Sequence, residues 1–275
     1  MKYKFVYDES FLAENQLELS PREMRAVIAT IVGKHNAIFY GYKPERITKA
    51  IKKLLDASTP VQCPAHDVDM EHFMGGGRDL SKGAVSLADG GVLFMEDMDK
   101  YRTSVIQMLA VPMKTGSVTL SRAGESMMYP AEFRLVATMD HCPTEGKYHH
   151  VIEECGIVFK CSSPDTIENV FVEKAKKAVF DAYTSSQSRA IYVDNSIVDF
   201  DNINFTTEAE VLFRDDILNQ PPYNYSWLNI ARVARTVADI NGHSLVRMMD
   251  VRRAQDMYNL CVPHTEENNL SEEDE

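Results

Sequence analysis

Four short apolar runs are separated by segments of helical periodicity, and this constrains the chain more than any other feature. Ala37-Ile-Phe-Tyr40, Val92-Leu-Phe-Met95, Phe133-Arg-Leu-Val-Ala-Thr-Met139 and Ile157-Val-Phe159 are strand-length. Near-continuous apolar strands are those buried on both faces, as happens when helices cover each side of a parallel sheet. Ser20-Pro21-Arg22-Glu23 places a hydroxyl cap, a first-turn proline and an acid three residues after the cap, so a helix is expected from Pro21 to near Gly33. A second, basic helix follows over Pro44 to Leu55, with Ile47, Ile51, Leu54 and Leu55 on its apolar face. Strands alternating with helices imply an α/β fold with a parallel sheet.

Further along, Tyr101 to Val111 reads as a helix, and Gly116 to Met128 as a hairpin turning at Ala123-Gly124. Ser58 to Lys82 is irregular, with Gly75-Gly-Gly77 inside it. From Ile167 the pattern turns amphipathic: Ile167 to Tyr183, Thr206 to Leu218, Ser226 to Ile240 and Met249 to Leu260 are expected helices, with a polar linker from Tyr183 to Phe205. The expected organisation is an arm over residues 1–19, a core over 20–163, a helical domain over 164–263 and a disordered acidic tail over 264–275.

The formal net charge of -12 argues against a dedicated nucleic-acid binder, since a polyanion is repelled at long range unless a basic patch overrides the average. No run approaches the roughly 20 apolar residues of a membrane span, and Asp8 and Glu9 interrupt any signal-peptide core, so a cytoplasmic protein is expected. Cys63, Cys142, Cys155, Cys161 and Cys261 form no Cys-x-x-Cys pair and read as reduced structural thiols. His141, His149 and His150 lie near Cys142, but their spacing matches no standard zinc pattern.

Two segments bear on chemistry. The strand Val92 to Met95 ends in Glu96-Asp97, where carboxylates can hold magnesium and orient water. The strand Ala37 to Tyr40 runs into Gly41-Tyr-Lys-Pro-Glu-Arg-Ile-Thr48 and then a helix, the order of a phosphate-binding loop. Such a loop works through converging backbone N–H groups, a lysine that neutralises phosphate charge and a Ser/Thr that holds magnesium. Only Gly41 and Thr48 occupy pattern positions. Ile47 stands at the lysine position, Pro44 removes a backbone donor and Glu45 adds negative charge. Lys43, Arg46 and Lys49 are the candidate substitute cations, while the basic run Lys49 to Lys53 otherwise reads as a solvated helix face.

The segments together resemble the AAA+ ATPase module of magnesium chelatase subunit I and the related ComM-type competence helicases. The resemblance runs through Val85 to Asp97, Thr103 to Pro112, Gly116 to Ala123, Tyr129 to Met139 and Cys142-Pro143. Gly33 to Gly41, Pro64-Ala-His66 and Gly75-Gly-Gly77 match upstream, and Ala231 to Asp239 resembles the lid helix. It implies a P-loop NTPase fold, a three-layer αβα core with a parallel sheet followed by a helical lid domain. Glu96 and Asp97 then take the magnesium-binding and water-activating positions in reversed order, a displacement of order 1 Å that can cost catalysis heavily. Asp140 falls where the family has its sensor-1 asparagine. The arginine finger falls near Glu153-Glu154, where no arginine is present, and the sensor-2 arginine near Tyr225, with Arg232 and Arg235 in the same helix. Loss of these arginines with the lysine points to an impaired ATPase, since each stabilises phosphate charge in transfer.

The resemblance therefore implies a degenerate ATPase acting as a scaffold or regulatory subunit, with ATP and Mg2+ as cofactors where nucleotide binding is retained and none otherwise. The alternative is an active motor, chelatase-type or DNA-linked, with Lys43, Arg46 or Lys49 supplying the missing cation. A third reading is a binding module that contacts DNA or a protein partner through hairpin 116–128, with Arg122 at its turn. An oligomer built through AAA+ surfaces is expected. The chain as it stands lacks the amino-terminal protease-like domain of ComM-type proteins and the integrin-like subunit of chelatases, so a partner-dependent role is expected too.

Overall fold

A computed structural model describes residues 15–144, 146–188, 195–218 and 226–260. Tyr225, Cys261, the acidic tail and most of the amino-terminal arm lie outside the described residues. The first elements are β1 (Gln16–Leu19), α1 (Pro21–Val32), β2 (Ala37–Gly41) and α2 (Glu45–Leu54). The capping box of α1 forms as the sequence implies: Ser20 Oγ accepts from the Glu23 N–H, and Glu23 accepts from the Ser20 N–H. Gly33 closes the helix, its N–H donating to the Ala29 carbonyl.

The irregular stretch contains β3 (Val61–Gln62), α3 (Met70–Met74) and the short antiparallel pair β4 (Gly75–Gly76) and β5 (Ser81–Lys82). Then come α4 (Ala84–Leu87), β6 (Val92–Met95), α5 (Thr103–Met108), α6 (Ala110–Thr115), β7 (Ser117–Arg122), β8 (Glu125–Pro130), β9 (Arg134–Met139), α7 (His149–Glu153) and β10 (Ile157–Cys161). The expected helix over Tyr101 to Val111 is two helices that meet at Leu109. The hairpin turns at Ala123-Gly124 as expected and continues to Pro130.

Five strands form one parallel sheet in the order β10-β2-β9-β6-β3. In the central strands β2 and β6, residues 37–39 and 93–95 are wholly buried and residues 40 and 92 nearly so, the outcome that continuous apolar runs imply. The strand before the phosphate-loop position and the strand bearing the acids are not neighbours: β9 lies between them. Gly91 is required where β6 approaches β3, because a Cβ there would collide with the Pro60 carbonyl.

The remaining elements are β11 (Glu168–Phe171), α8 (Val172–Gln187), α9 (Thr207–Phe213), α10 (Trp227–Ile240) and α11 (Met248–Asp256), with a π-helical turn over Arg214–Leu218 after α9. The expected helix from Ile167 needs correction. Its first residues form β11, antiparallel to β1 in the register Gln16 to Phe171, and the helix begins at Val172. The hydrophobic cluster runs unbroken from the sheet into α9, α10 and α11. A buried polar network ties α10 to the turn before β2: His35 Nε2 lies 2.8 Å from Thr236 Oγ1, and Asn195 donates to Thr236 and Asp239. No helix among the described residues is long and apolar enough to cross a membrane.

Candidate functional site

The site lies where β2 and β6 end. Strand β2 leaves the sheet at Gly41, whose φ of 100° favours glycine, and four residues later α2 begins at Glu45. Lys43 also sits in the left-handed region, with φ 42°, as does Asp97 with φ 50° after β6. Backbone of this kind in a non-glycine residue costs of order 1–2 kcal/mol and gathers at functional loops. Both loops of the candidate site carry one such residue.

The loop between β2 and α2 is held from behind by a buried ion pair. Arg46 donates to both oxygens of the fully buried Glu23 carboxylate, at 2.6 and 2.9 Å, and to the Glu18 carbonyl at 2.8 Å. It also reaches the Tyr42 and Ser162 carbonyls at 3.4 and 3.5 Å. Glu23 accepts further from the Ser20 and Ser162 N–H groups. Burial pushes this carboxyl up, but the Arg46 and backbone hydrogen bonds outweigh it and leave the pKa below the ordinary glutamate range. Arg46 is thus turned inward, its two terminal nitrogens engaged in fixing the loop while its buried Nε has no hydrogen-bond partner among the described residues. Ile47, at the lysine position, is 0% exposed and belongs to the core. Lys43 and Lys49 are exposed, the Lys43 ammonium lying 5.6 Å from the centre of the Tyr42 ring.

The acidic pair and α2 do meet. Thr48 Oγ1 lies 2.8 Å from Glu96 Oε1 and 3.0 Å from the Glu45 carbonyl, and Thr48 is wholly buried. One turn further along the same helix, Lys52 Nζ is 2.8 Å from the same Glu96 oxygen. The Lys52 ammonium also stacks 4.7 Å from the Phe94 ring centre and lies 3.6 Å from Cys63 Sγ. Burial lowers the Lys52 pKa, and the hydrogen bond and charge of Glu96, with the Cys63 sulfur, more than offset it, so it stands above the ordinary lysine value. Glu96 moves the opposite way: burial raises it, and the bonds from Lys52 and Thr48 bring it below the ordinary value.

Asp97 is paired with Lys100 at 2.6 Å, while His66 Nε2 lies 2.9 Å from the Glu96 carbonyl and 3.9 Å from Asp97 Oδ2. The Asp97 N–H donates to Thr138 Oγ1, so β9 reaches the acidic pair through Thr138. Asp140, two residues beyond, is exposed. Lys52, Thr138, His66 and Lys100 are the members of this site that the sequence reading passed over. Spacing alone could have found Lys52, because Thr48 and Lys52 are four apart and share a helix face.

The other family-implied positions are engaged in the fold. Arg235 is 2% exposed, paired with Asp239 at 2.8 Å and bonded to the His243 and Ser244 carbonyls. Arg232 donates to the Val198 carbonyl and to Asn229. Glu153 and Glu154 each face Lys114 at 3.8 Å, and Glu153 also meets His149 and His150. Cys142 Sγ lies 3.9 Å from the Asn259 carbonyl. No group of three or more His, Cys, Asp or Glu among the described residues is arranged to hold a metal ion.

A parallel sheet with a strand-loop-helix phosphate motif at one strand end and an acidic pair at another defines the class: a mixed α/β P-loop core of AAA+ type with a helical part. Residues 45–165 match the family model described as magnesium chelatase, subunit ChlI. Competence protein ComM of Haemophilus influenzae is 27% identical over 169 residues, 49% of this chain and 33% of the relative. The protein YifB of Salmonella typhimurium is 32% identical over 114 residues, covering 38% of this chain and 22% of the relative. The magnesium-chelatase 67 kDa subunit of Chlorobaculum parvum is 28% identical over 123 residues, covering 41% and 20%. The matched segment is therefore an AAA+ module of the ComM/magnesium chelatase type. The aligned part amounts to a third or less of the length of each of these relatives.

The family implies a magnesium ion at this site. Thr48 and Glu96 are hard oxygen donors of the right kind for Mg2+, which needs ligands at roughly 2.0–2.1 Å in near-octahedral order. They do not fit it here, because the oxygen of Glu96 that faces Thr48 already receives the Lys52 ammonium, and Asp97 is neutralised by Lys100.

Proposed function

We propose that the chain is a ComM/magnesium chelatase-like AAA+ module whose ATP site is degenerate and which acts as a scaffold or regulatory subunit within an oligomer. One observation carries this reading: the position of the phosphate-loop lysine is filled by Ile47, which is buried in the core and offers no charge. Arg46, one residue before it, is committed to Glu23, so the first turn of α2 presents no free cation toward a phosphate. Without the lysine at the motif position, nucleotide polyphosphate loses its main electrostatic anchor.

The hairpin of β7 and β8 is the surface we assign to a DNA or protein partner. It carries Arg122 at its turn, and Met127 and Met128 are 47% and 72% exposed on its second strand. A second reading, an active ATP-dependent motor, is favoured by the surviving contact of Thr48 with Glu96, and it calls on Lys43 as the substitute cation.

Equilibrium binding of labelled ATP and ADP to the purified chain, with and without magnesium, tests the proposal. The expected result is no saturable binding below about 1 mM, a free energy weaker than about −4 kcal/mol. Micromolar, magnesium-dependent binding that is lost in the Lys43→Ala variant supports the active motor instead.

A further inference from the structure

The degenerate-site reading says what is missing from the phosphate loop; the far side of the same site holds something added. Three groups converge on one carboxylate: Thr48 Oγ1 and Lys52 Nζ each lie 2.8 Å from Glu96 Oε1, and the Cys63 sulfur lies 3.9 Å from Oε2. A P-loop core places its divalent cation between the Ser/Thr of the phosphate loop and the acids of the distant strand. Here Thr48 bonds Glu96 directly, and the ammonium of Lys52 shares the same carboxylate oxygen. Lys52 is rooted on the same helix face as Thr48, and its ammonium sits 4.7 Å over the Phe94 ring centre, so the ring face as well as the carboxylate charge holds it at Glu96.

Charge accounting points the same way. Glu96 and Asp97 supply two negative charges, and Lys52 and Lys100, at 2.8 and 2.6 Å, supply two positive ones, so the ion pairs sum to zero. Asp99 and Asp140 act on Lys100 from further off, but carboxylates already paired with ammonium groups offer little to offset the cost of stripping water from a small divalent ion, which gives up its hydration reluctantly.

We propose that Lys52 is the resident cation of this site, its ammonium occupying, beside Thr48, the Glu96 oxygen that a divalent metal would need, so that the chain does not bind magnesium there. This rests on the reading of the site as a nucleotide-site frame, but it concerns the cation position alone and holds whether or not ATP binds.

The test is a titration of the full chain with Mn2+ in the absence of nucleotide, following the signal of free aqueous Mn2+ by electron paramagnetic resonance. The wild-type chain is expected to show no Mn2+ binding that depends on Glu96. Lys52→Met keeps an unbranched side chain at this position and leaves the site with a net negative charge, so it is expected to tighten Mn2+ binding by about tenfold or more. Adding Glu96→Gln to that variant is expected to abolish the gain. The proposal is overturned if wild-type protein binds Mn2+ and Glu96→Gln alone removes it, a result that does not need the Lys52 variant to fold. It is equally overturned if folded Lys52→Met gains nothing. Because no nucleotide is present, either failure is separate from a failure of the degenerate-ATPase reading, which ATP binding decides.

Discussion

Replacing Arg46 with methionine probes what the phosphate-loop position has become. In the wild-type chain the Glu23 carboxylate is fully buried and receives four hydrogen bonds, two from Arg46 and one each from the Ser20 and Ser162 N–H groups. Arg46→Met removes the charge and half of those bonds, and it strips the Glu18 carbonyl of a donor. Breaking a buried pair by deleting one partner costs roughly 3–5 kcal/mol, because the remaining charge is left uncompensated. The two surviving backbone donors keep the cost near the lower end, about 3 kcal/mol.

The pH dependence gives the sign. In the wild-type chain the folded Glu23 pKa lies below its unfolded value, so the pair contributes fully above the ordinary glutamate range and is lost as pH falls through the depressed folded pKa. In Arg46→Met, burial is expected to dominate and raise that pKa, so the penalty is full at neutral pH and is relieved as pH falls. Urea denaturation at pH 7 and pH 5 is therefore expected to show a gap of about 3 kcal/mol between the two proteins that narrows at the lower pH. A gap under about 1 kcal/mol, or one that does not change with pH, refutes the assignment of Arg46 to loop support.

Three other perturbations follow from the same geometry. Ile47→Lys, which restores the motif lysine on paper, is expected to destabilise the chain by about 3 kcal/mol or more in chemical denaturation, because the side chain enters a fully buried position. Lys43→Gly is expected to raise stability by about 0.5–1 kcal/mol, since glycine relieves the left-handed backbone at a small entropic cost, read from the same curves. Gly91→Ala is expected to lower the thermal midpoint by several degrees, because its Cβ collides with the Pro60 carbonyl and separates β3 from β6.

How legible the fold was depended on whether its cause is local. Strands β2, β6, β9 and β10 were readable because burial on both faces leaves a continuous apolar run, and the start of α1 because the capping box lies within four residues. Strand β11 was misread as helix because its pairing with β1, about 150 residues away, leaves no local mark. Strand β3 is two residues long and borrows its place from Gly91 and β6.

At the site, the acidic pair and the missing lysine were plain in the sequence. The role of Arg46 was not, because its partner Glu23 sits on another helix and already served as a capping acid. Lys52 was hidden in a basic run that resembles a solvated face. Only the meeting of α2 with the end of β6 separates it from Lys49 and Lys53.

The central claim, that this AAA+ module has lost its ATPase chemistry, is met most directly by steady-state ATP hydrolysis with magnesium, run beside the Glu96→Gln variant. The account predicts the same rate for both proteins, below about 0.01 s⁻¹ and at the level of buffer. Turnover of about 1 s⁻¹ or faster by the wild-type chain, abolished in Glu96→Gln, contradicts it.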